Sequence, residues 1–174
     1  MGIDASTKSI AFCVMSGDTV IKYGEVFFNG ADISERILDA KRKVYSLRKE
    51  FKVDYIAIES AIVVRSPGVA IKLAYMFGAI MGELLDQGAR LKEVAPITWQ
   101  SYIGNKNLTK AEKEQIKKDF PGHATSWYNN KSREIRKHRT IDFFNNKFNV
   151  DIESDNVADA FGLAYYAVNN LTEN

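Results

Sequence analysis

The sequence is poor in the residues that cross-link or anchor small proteins: its 174 residues include one cysteine, two histidines and three prolines. The single cysteine, Cys13, excludes an intramolecular disulfide and any cysteine-based zinc site, and its apolar surroundings predict a buried, inert thiol. No apolar run approaches the roughly 20 residues that a membrane-spanning helix needs, so we expect no membrane association. The start also lacks the basic-then-apolar pattern of a signal peptide, which predicts a cytoplasmic protein.

Charge is nearly balanced over the chain, at +2, but it is distributed unevenly. Between Lys106 and Arg139 there are ten lysines and arginines and four acidic residues, so this stretch is +6 and the remainder is −4. Cationic side chains bind nucleic-acid phosphates by displacing counterions. We therefore predict a basic helical insert at about 104–140, within a single domain that spans residues 1–174 and has enough apolar residues for one core.

Alternating element types predict an α/β fold. Apolar runs bounded by turn signals predict strands near 1–4, 10–15, 20–28, 55–59 and 90–94. Helical periodicity predicts helices at about 34–51 and 69–86, and another that begins near 155. In the second of these, Gly78, Ala79 and Gly82 would allow another helix to approach closely, although packing on its own sheet explains the pattern equally well.

Four acidic residues stand at the ends of these elements. Asp4 follows a short apolar strand, Glu59 ends the run 55–58, and Asp155 and Asp159 lie one helical turn apart. Taken singly, Asp4 is also a turn former, Glu59 a surface residue and Asp155 a helix N-cap. Because burying an unpaired charge is costly, several carboxylates that converge require cations. The set as a whole predicts a divalent-metal site.

The segments Gly2-Ile3-Asp4, Ile58-Glu59-Ser60 and Ala158-Asp159-Ala160 resemble, in this order, the motifs of the RuvC-like Holliday junction resolvases. These belong to the RNase H-like nuclease superfamily, and the likeness is to a phage-type branch, which would place the protein in the host cytoplasm. The resemblance implies a mixed sheet of five strands in the order 3-2-1-4-5, flanked by helices on both faces. It further implies two Mg²⁺ ions, with Mn²⁺ as an alternative, a homodimer, no nucleotide cofactor, and paired incisions in four-way or otherwise branched DNA.

Carried over by position, Asp4, Glu59 and Asp159 match the carboxylates of the family. The resemblance makes Asp4 the bridging ligand, with Glu59 on the leaving-group side and Asp155 and Asp159 on the nucleophile side. The fourth family ligand commonly lies three residues before the last aspartate, where this chain has Asn156. Either Asp155 takes that role as a catalytic and metal-binding residue, or Asn156 contributes a neutral oxygen.

Basic residues of the insert and one residue after the fourth strand are expected to bind DNA: Arg65, Lys106, Lys110, Lys113, Lys117, Lys118, Lys131 and Arg133. Trp127 and Tyr128 lie in the same insert and either stack on unpaired bases or belong to the core. Two alternative functions stay open, a broader flap or fork nuclease and a non-catalytic binder of branched DNA. An ATP-binding protein of the actin and sugar-kinase type is disfavoured, because the chain lacks a second lobe and a second glycine-rich phosphate turn.

Overall fold

A computed structural model describes residues 1–60, 66–85 and 88–171. Arg65, one of the predicted DNA contacts, lies outside the described residues. The elements in chain order are β1 (Gly2–Ala5), β2 (Ser9–Ser16), β3 (Thr19–Phe27), α1 (Ile33–Glu50), β4 (Tyr55–Glu59), α2 (Pro67–Leu85), β5 (Arg90–Val94), α3 (Pro96–Tyr102), α4 (Lys110–Asp119), α5 (Thr125–Phe148) and α6 (Asp155–Asn170).

The five strands form one mixed sheet in the order β3-β2-β1-β4-β5, which confirms the predicted topology. β1, β2 and β3 pair antiparallel, whereas β4 pairs parallel with both β1 and β5. The turn between β2 and β3 contains Gly17 in the left-handed region, at φ 54°, a conformation that glycine adopts without steric cost. Cys13 on β2 is fully buried, as predicted, and burial raises its pKa to about 12, which keeps the thiol protonated.

The register fixes which side chains share a face of the sheet. Asp4 on β1 lies opposite Ala11 on β2, and Ala11 lies opposite Glu25 on β3. Residues directly opposite each other in a sheet project to the same face. The row Asp4–Ala11–Glu25 therefore faces one side, and the adjacent residue Ile3, with its partner Phe12, faces the other.

Helices cover both faces, as predicted. On one side, α1 and α2 pack on a large apolar cluster that includes Ile3, Phe12 and Ile58 from the sheet. α1 begins at the N-cap Asp32, whose side chain accepts a hydrogen bond from the backbone N–H of Glu35. On the other side, α6 packs on β1 and β2, α5 packs against α6, and α3 packs between β4, β5 and α6. The predicted insert at 104–140 contains α4 and the first part of α5.

Helix α2 corrects one expectation. It has 19 residues, a mean hydropathy of 1.5 and only 17% burial, so by length and composition it is apolar enough to cross a membrane. The apolar run is longer than expected because Lys72 is its only charged residue before Glu83. Glu83 forms a salt bridge with Lys41 of α1 at 3.1 Å, and Met76, Ile80 and Leu84 are buried in the core. A core helix passes the same test of length and composition, so this is weak evidence for a membrane.

Candidate active site

Three of the predicted acids, Asp4, Glu59 and Asp159, come from β1, β4 and α6. Gly2 pairs with Ala57 and Ile3 with Ile58 in the parallel β1–β4 ladder, so the strands deliver Asp4 and Glu59 side by side at their carboxyl ends. α6 packs across β1, β2 and β4 and carries Asp159 over the same face.

The electrostatics show that these three carboxylates act on one another. Burial raises the pKa of Asp4 to about 7, with further contributions from the charges of Glu59 and Glu25. Burial likewise raises the pKa of Asp159 to about 8, helped by Asp4 and Glu59. Burial also raises the pKa of Glu59, against a hydrogen bond from Trp99. None of the three forms an ion pair within the described ranges, so the site is short of positive charge.

The donor set fits a hard divalent cation. Mg²⁺ prefers carboxylate oxygens, keeps several waters and is completed by substrate phosphates, so it does not need a closed protein cage. Among the described residues, no group of three or more acidic, histidine or cysteine side chains is placed so that it could hold a metal ion. A cation here would relieve the mutual repulsion of the three half-buried carboxylates, none of which forms an ion pair with a described cationic side chain.

Close helix–sheet contact brings Asp159 to the strands. A Cβ atom on Gly2 would stand 2.1 Å from the carbonyl oxygen of Ala160 and 2.3 Å from the backbone nitrogen of Ala164. Only glycine therefore allows α6 to lie this close to β1. The small residue Ala11 on β2 is also buried under α6.

Trp99 of α3 is a site residue that the sequence did not reveal. Its ring is fully buried, and its Nε1–H donates to Glu59 Oε2 at 3.4 Å. The ring lies against Gly162 of α6, where an added Cβ would stand 2.3 Å from it. Trp99 thus holds Glu59 from one side and packs on the helix of Asp159 from the other. A lone tryptophan in a short helix carries no sequence signal for this role.

Asp155 is placed differently from the other three acids. Ser154, not Asp155, is the N-cap of α6, and it accepts a hydrogen bond from the backbone N–H of Val157. The interpretation of Asp155 as the cap is therefore wrong. Asp155 is the first residue of the helix and forms an ion pair with Lys137 of α5. Its role as a ligand stays a prediction.

Lys137 is a second residue that sequence reasoning did not single out. Besides its pair with Asp155, its charge acts on Asp4 and Asp159 and opposes the rise of their pKa values. Arg136, the preceding residue, acts on Asp159 in the same direction. The basic run was the available signal, but only the packing of α5 beside α6 shows which of its cations reach the acids.

Glu25 is the third residue missed. It lies on β3 on the face of Asp4, and its carboxylate accepts three hydrogen bonds. Ser9 Oγ donates to Oε1 at 2.7 Å, Asn156 Nδ2 to Oε1 at 2.9 Å, and Ser154 Oγ to Oε2 at 3.0 Å. Burial opposes ionisation, but the three hydrogen bonds together hold the pKa of Glu25 below its usual value.

The predicted DNA-binding residues lie on α4, on α5 and in the loop before α4. Lys113 and Lys117 line a cavity of about 390 Å³ together with Tyr128. Lys131 is within 2.9 Å of Glu134, and Lys110 is 3.9 Å from Glu114. The remaining three, which are exposed and have no ion pair within the described part of the chain, are Lys106, Lys118 and Arg133.

The aromatic pair in this region packs within the protein. Trp127 stacks on His123, with ring centroids 4.0 Å apart, and lies edge to face with Tyr128 at 5.3 Å. Tyr128 also donates its hydroxyl to the carbonyl oxygen of Phe120. Both side chains are half-buried and pack on the exposed residues His123 and Phe120, so these contacts hold the rings within the insert and leave the choice between core and base stacking open.

Comparison with known proteins agrees with this fold. The sequence profile described as "Crossover junction endodeoxyribonuclease RuvC" matches residues 1–119. The RuvC protein of Aliarcobacter butzleri (strain RM4018) is 27% identical over 121 residues, which cover 67% of this chain and 77% of that protein. The RuvC of Sulfurovum sp. (strain NBC37-1) is 22% identical over 120 residues, which cover 67% and 74%.

Solved structures share the fold. T. thermophilus RuvC in complex with a Holliday junction substrate superposes with a TM-score of 0.68 at 13% identity, covering 97% of this chain and 94% of that one. The yeast mitochondrial Holliday junction resolvase Ydc2 superposes with a TM-score of 0.52 at 13% identity, covering 96% and 76%.

The sheet order and the carboxylates at its centre define an α/β protein of the RNase H-like nuclease class. Because the profile matches more than half of the chain, the protein belongs to the RuvC family of crossover junction endodeoxyribonucleases.

Proposed function

We propose that this protein is a metal-dependent endonuclease that resolves four-way DNA junctions by paired phosphodiester hydrolysis. The observation that carries the proposal is the set of three half-buried, mutually repelling carboxylates, Asp4, Glu59 and Asp159, at the centre of the sheet in a chain of the RuvC family. Such a set is destabilising unless cations bind, and a non-catalytic DNA-binding protein gains nothing from partly desolvated acids beside phosphates. The T. thermophilus relative has been solved with a Holliday junction substrate.

Asp4, Glu59 and Asp159 would hold two Mg²⁺ ions, or Mn²⁺, with either Asp155 or Asn156 completing the set. Bound divalent ions supply activation of a water nucleophile and stabilisation of the departing oxygen. Asp4 would serve both ions, because its charge is coupled to that of Glu59 and to that of Asp159. Trp99 would keep one oxygen of Glu59 oriented through its Nε1–H.

The lysines and arginine of α4 and α5 would bind the phosphates that flank the cut. Lys113, Lys117 and Lys118 are exposed on α4, and α4 is joined to α5 by the pair Arg139–Glu112 at 2.6 Å. α5 in turn packs beside α6, which carries Asp159. Basic residues that are fixed in position relative to the carboxylates would orient the scissile phosphate as well as attract the DNA.

Paired incision requires two copies of the site, and a homodimer supplies them with two-fold symmetry. The outer side of α2 supports this arrangement, because Ile71, Tyr75 and Leu85 are each at least 50% exposed. On the same side, added Cβ atoms at Gly78 and Gly82 would meet nothing within 4 Å. An apolar stripe with small residues at its centre fits a second copy of the same helix.

The test of the proposal is cleavage of an end-labelled four-way junction, a flap and a linear duplex, with Mg²⁺ and with EDTA. The variants are Asp4→Asn and Glu59→Gln, and the matched control is Asp18→Asn in the exposed β2–β3 turn. We expect symmetric paired nicks in the junction alone, lost in EDTA and in both site variants but kept in the control. Cutting of every branched substrate would instead favour the broader flap and fork nuclease. Binding without cuts would favour the non-catalytic protein.

The dimer has a separate test by sedimentation velocity. Tyr75→Glu places a charge on the exposed stripe of α2, and Lys72→Glu changes charge on an exposed neighbour. We expect the wild type and Lys72→Glu to sediment as dimers and Tyr75→Glu as a monomer. A wild type that is monomeric at micromolar concentration would contradict the homodimer.

A further inference from the structure

Asn156 occupies the place where relatives commonly have an acidic ligand, and the structure shows what surrounds it. Its Nδ2 donates to Glu25 Oε1 at 2.9 Å, across 131 residues of chain. Glu25 is in turn fixed by the hydroxyls of Ser9 and Ser154, so it offers the amide one fixed acceptor. The amide therefore has one favourable orientation, because the flipped amide would point its carbonyl oxygen at a carboxylate.

The orientation of this amide decides where its oxygen lies. The nitrogen and the oxygen of a planar amide point in different directions, so a nitrogen held by Glu25 directs Oδ1 away from Glu25. No donor in the described ranges bonds to Oδ1. Asn156 also precedes Asp159 by three residues in α6, and residues at this spacing are neighbours on one helix surface.

The strand register also places Glu25 on the same face of the sheet as Asp4. Glu25 and Asp4 lie in one cross-strand row on the face that α6 covers. Asn156 is thus hydrogen-bonded to Glu25, which lies at one end of this row. It also shares a helix surface with Asp159, whose pKa is raised in part by the charge of Asp4. Because Asn156 and Asp159 are neighbours on one surface of α6, an Oδ1 that is not bonded to Glu25 is left to accept from a group at that surface.

We propose that Glu25 is a positioning residue that fixes the amide of Asn156 so that its neutral carbonyl oxygen serves as a ligand for a divalent cation. This inference rests on the proposed function and adds to it the means by which an asparagine replaces the usual acid. It also explains the neutral residue, because an aspartate at 156 would place a second carboxylate at hydrogen-bonding distance from Glu25. Partners behind a ligand commonly contribute about 10- to 100-fold to metal affinity.

The experiment measures cation binding directly and does not depend on cleavage. Mn²⁺ is titrated by calorimetry into the wild type, Glu25→Gln, Asn156→Ala, Asn156→Asp and two double variants, in which Glu25→Gln is combined with Asn156→Ala or with Asn156→Asp. The matched control is Glu93→Gln, an exposed strand glutamate opposite Ile58 on the other face of the sheet. Melting temperatures of the same variants report on structural damage.

We expect Glu25→Gln and Asn156→Ala each to weaken Mn²⁺ binding by about tenfold or more, with no change in Glu93→Gln. Adding Glu25→Gln to Asn156→Ala should cost little more, because the two residues act as a unit. Asn156→Asp alone should bind Mn²⁺ no better than the wild type. The double variant Glu25→Gln with Asn156→Asp should regain tight binding, since the new aspartate no longer faces a carboxylate at position 25. In cleavage, Glu25→Gln should raise the Mg²⁺ concentration that gives half of the maximal rate.

Three results would overturn the inference. They are wild-type Mn²⁺ affinity in Glu25→Gln, fully additive losses of affinity when Glu25→Gln is combined with Asn156→Ala, or a double variant Glu25→Gln with Asn156→Asp that binds no better than Glu25→Gln alone. A variant that merely melts earlier, with unchanged Mn²⁺ affinity when folded, would assign Glu25 a structural role only. Failure of the proposed function is distinguishable, because the wild type would then leave the junction uncut whatever the Mn²⁺ titrations of the variants show.

Discussion

The two faces of the central sheet are built from side chains of different size. Toward α1 and α2 the central strands present Ile3, Phe12 and Ile58, each 6% exposed or less. Toward α6 the same strands present Gly2 and Ala57 at the neighbouring positions, together with the acids. Large apolar residues fill the first face and keep its helices at a distance, whereas small residues on the second face let a helix reach the backbone.

This difference teaches how a small fold accommodates buried charge. The first face carries the main apolar cluster, so hydrophobic burial there stabilises the domain. The second face holds Asp4, Glu59 and Asp159, whose raised pKa values show that the metal-free site opposes folding at neutral pH. Stability and chemistry are thus separated across the thickness of one sheet.

The largest expected effect comes from enlarging the small face. Gly2→Ala places a Cβ atom 2.1 Å from the Ala160 carbonyl oxygen, and backbone atoms cannot move aside without shifting α6. We expect a loss of about 3 kcal/mol or more in the free energy of unfolding, measured by urea denaturation. Ile3→Val, the matched change on the large face, should cost about 1 kcal/mol. Equal losses in the two variants would contradict the comparison.

A second pair of substitutions tests two helical glycines. Gly162→Ala would drive a Cβ into the ring of Trp99, whereas Gly78→Ala meets open space on α2. We expect Gly162→Ala to cost about 2 kcal/mol and also to lower the cleavage rate, since Trp99 orients Glu59. Gly78→Ala, studied at concentrations where the chain is monomeric, should instead stabilise the helix by up to about 1 kcal/mol. Normal cleavage by Gly162→Ala would show that Trp99 has no influence on Glu59.

A third prediction concerns pH in the absence of metal. The pKa of Asp159 is raised to about 8 in the folded state, so the folded protein retains a proton that the unfolded chain loses near pH 4. The contribution of Asp159 to stability therefore falls as pH rises from about 4 to 8 and is level above that. In EDTA, Asp159→Asn should melt above the wild type by a margin that grows from pH 5.5 to pH 8. Mg²⁺ should reduce that margin by stabilising the wild type.

Asp39 on α1 provides the control of opposite sign. Its pKa is lowered by the backbone N–H of Asn29 and by Lys43, so its stabilising contribution is present at neutral pH and disappears as pH falls through its folded pKa. Asp39→Asn should therefore melt slightly below the wild type at pH 8, with no gain from EDTA. A melting difference for Asp159→Asn that is independent of pH would refute the assignment of half-buried carboxylates that repel one another.

The smallest effects are expected from single exposed lysines. Lys113→Gln and Lys117→Gln on α4 should each weaken junction binding and reduce the slope of log K against log salt by about one. Lys22→Gln, an exposed residue of β3 on another part of the surface, should leave the slope unchanged. Fluorescence anisotropy over a range of salt concentrations measures all three. An unchanged slope in both α4 variants would place the DNA elsewhere on the molecule.

Much of the fold and the central acids could be predicted from sequence, because both depend on local patterns. Apolar runs and turn signals predict the strands, and the charges at their ends mark Asp4 and Glu59. Glu25 carries no such signal, because polar and apolar residues alternate along β3 and this pattern predicts that Glu25 is an ordinary exposed strand residue. Its contact with Asn156 spans 131 residues, and that of Trp99 with Glu59 spans 40. Only the packing of α3 and α6 on the sheet creates these contacts.

The start of α6 also shows the difference between what the sequence predicts and what packing decides. Ser154, Asp155 and Asn156 are three good cap residues in a row, and sequence preference does not rank them. In the folded protein Ser154 caps the helix, Asp155 pairs with Lys137 and Asn156 binds Glu25. The choice is made by which partner lies within reach of each side chain.

By itself, the sequence determined the order of strands and helices, the acidic residues at the sheet centre and the concentration of positive charge in 104–140. Hydrophobic periodicity and turn preferences depend on residues that are close together in the sequence, so they can be recognised without the structure. Tertiary structure alone decided that β3 contributes Glu25 to the site, that Trp99 supports Glu59, and that α6 lies against the backbone of β1 at Gly2. These features depend on distances between elements far apart in the chain, and packing sets such distances only once the whole sheet has formed.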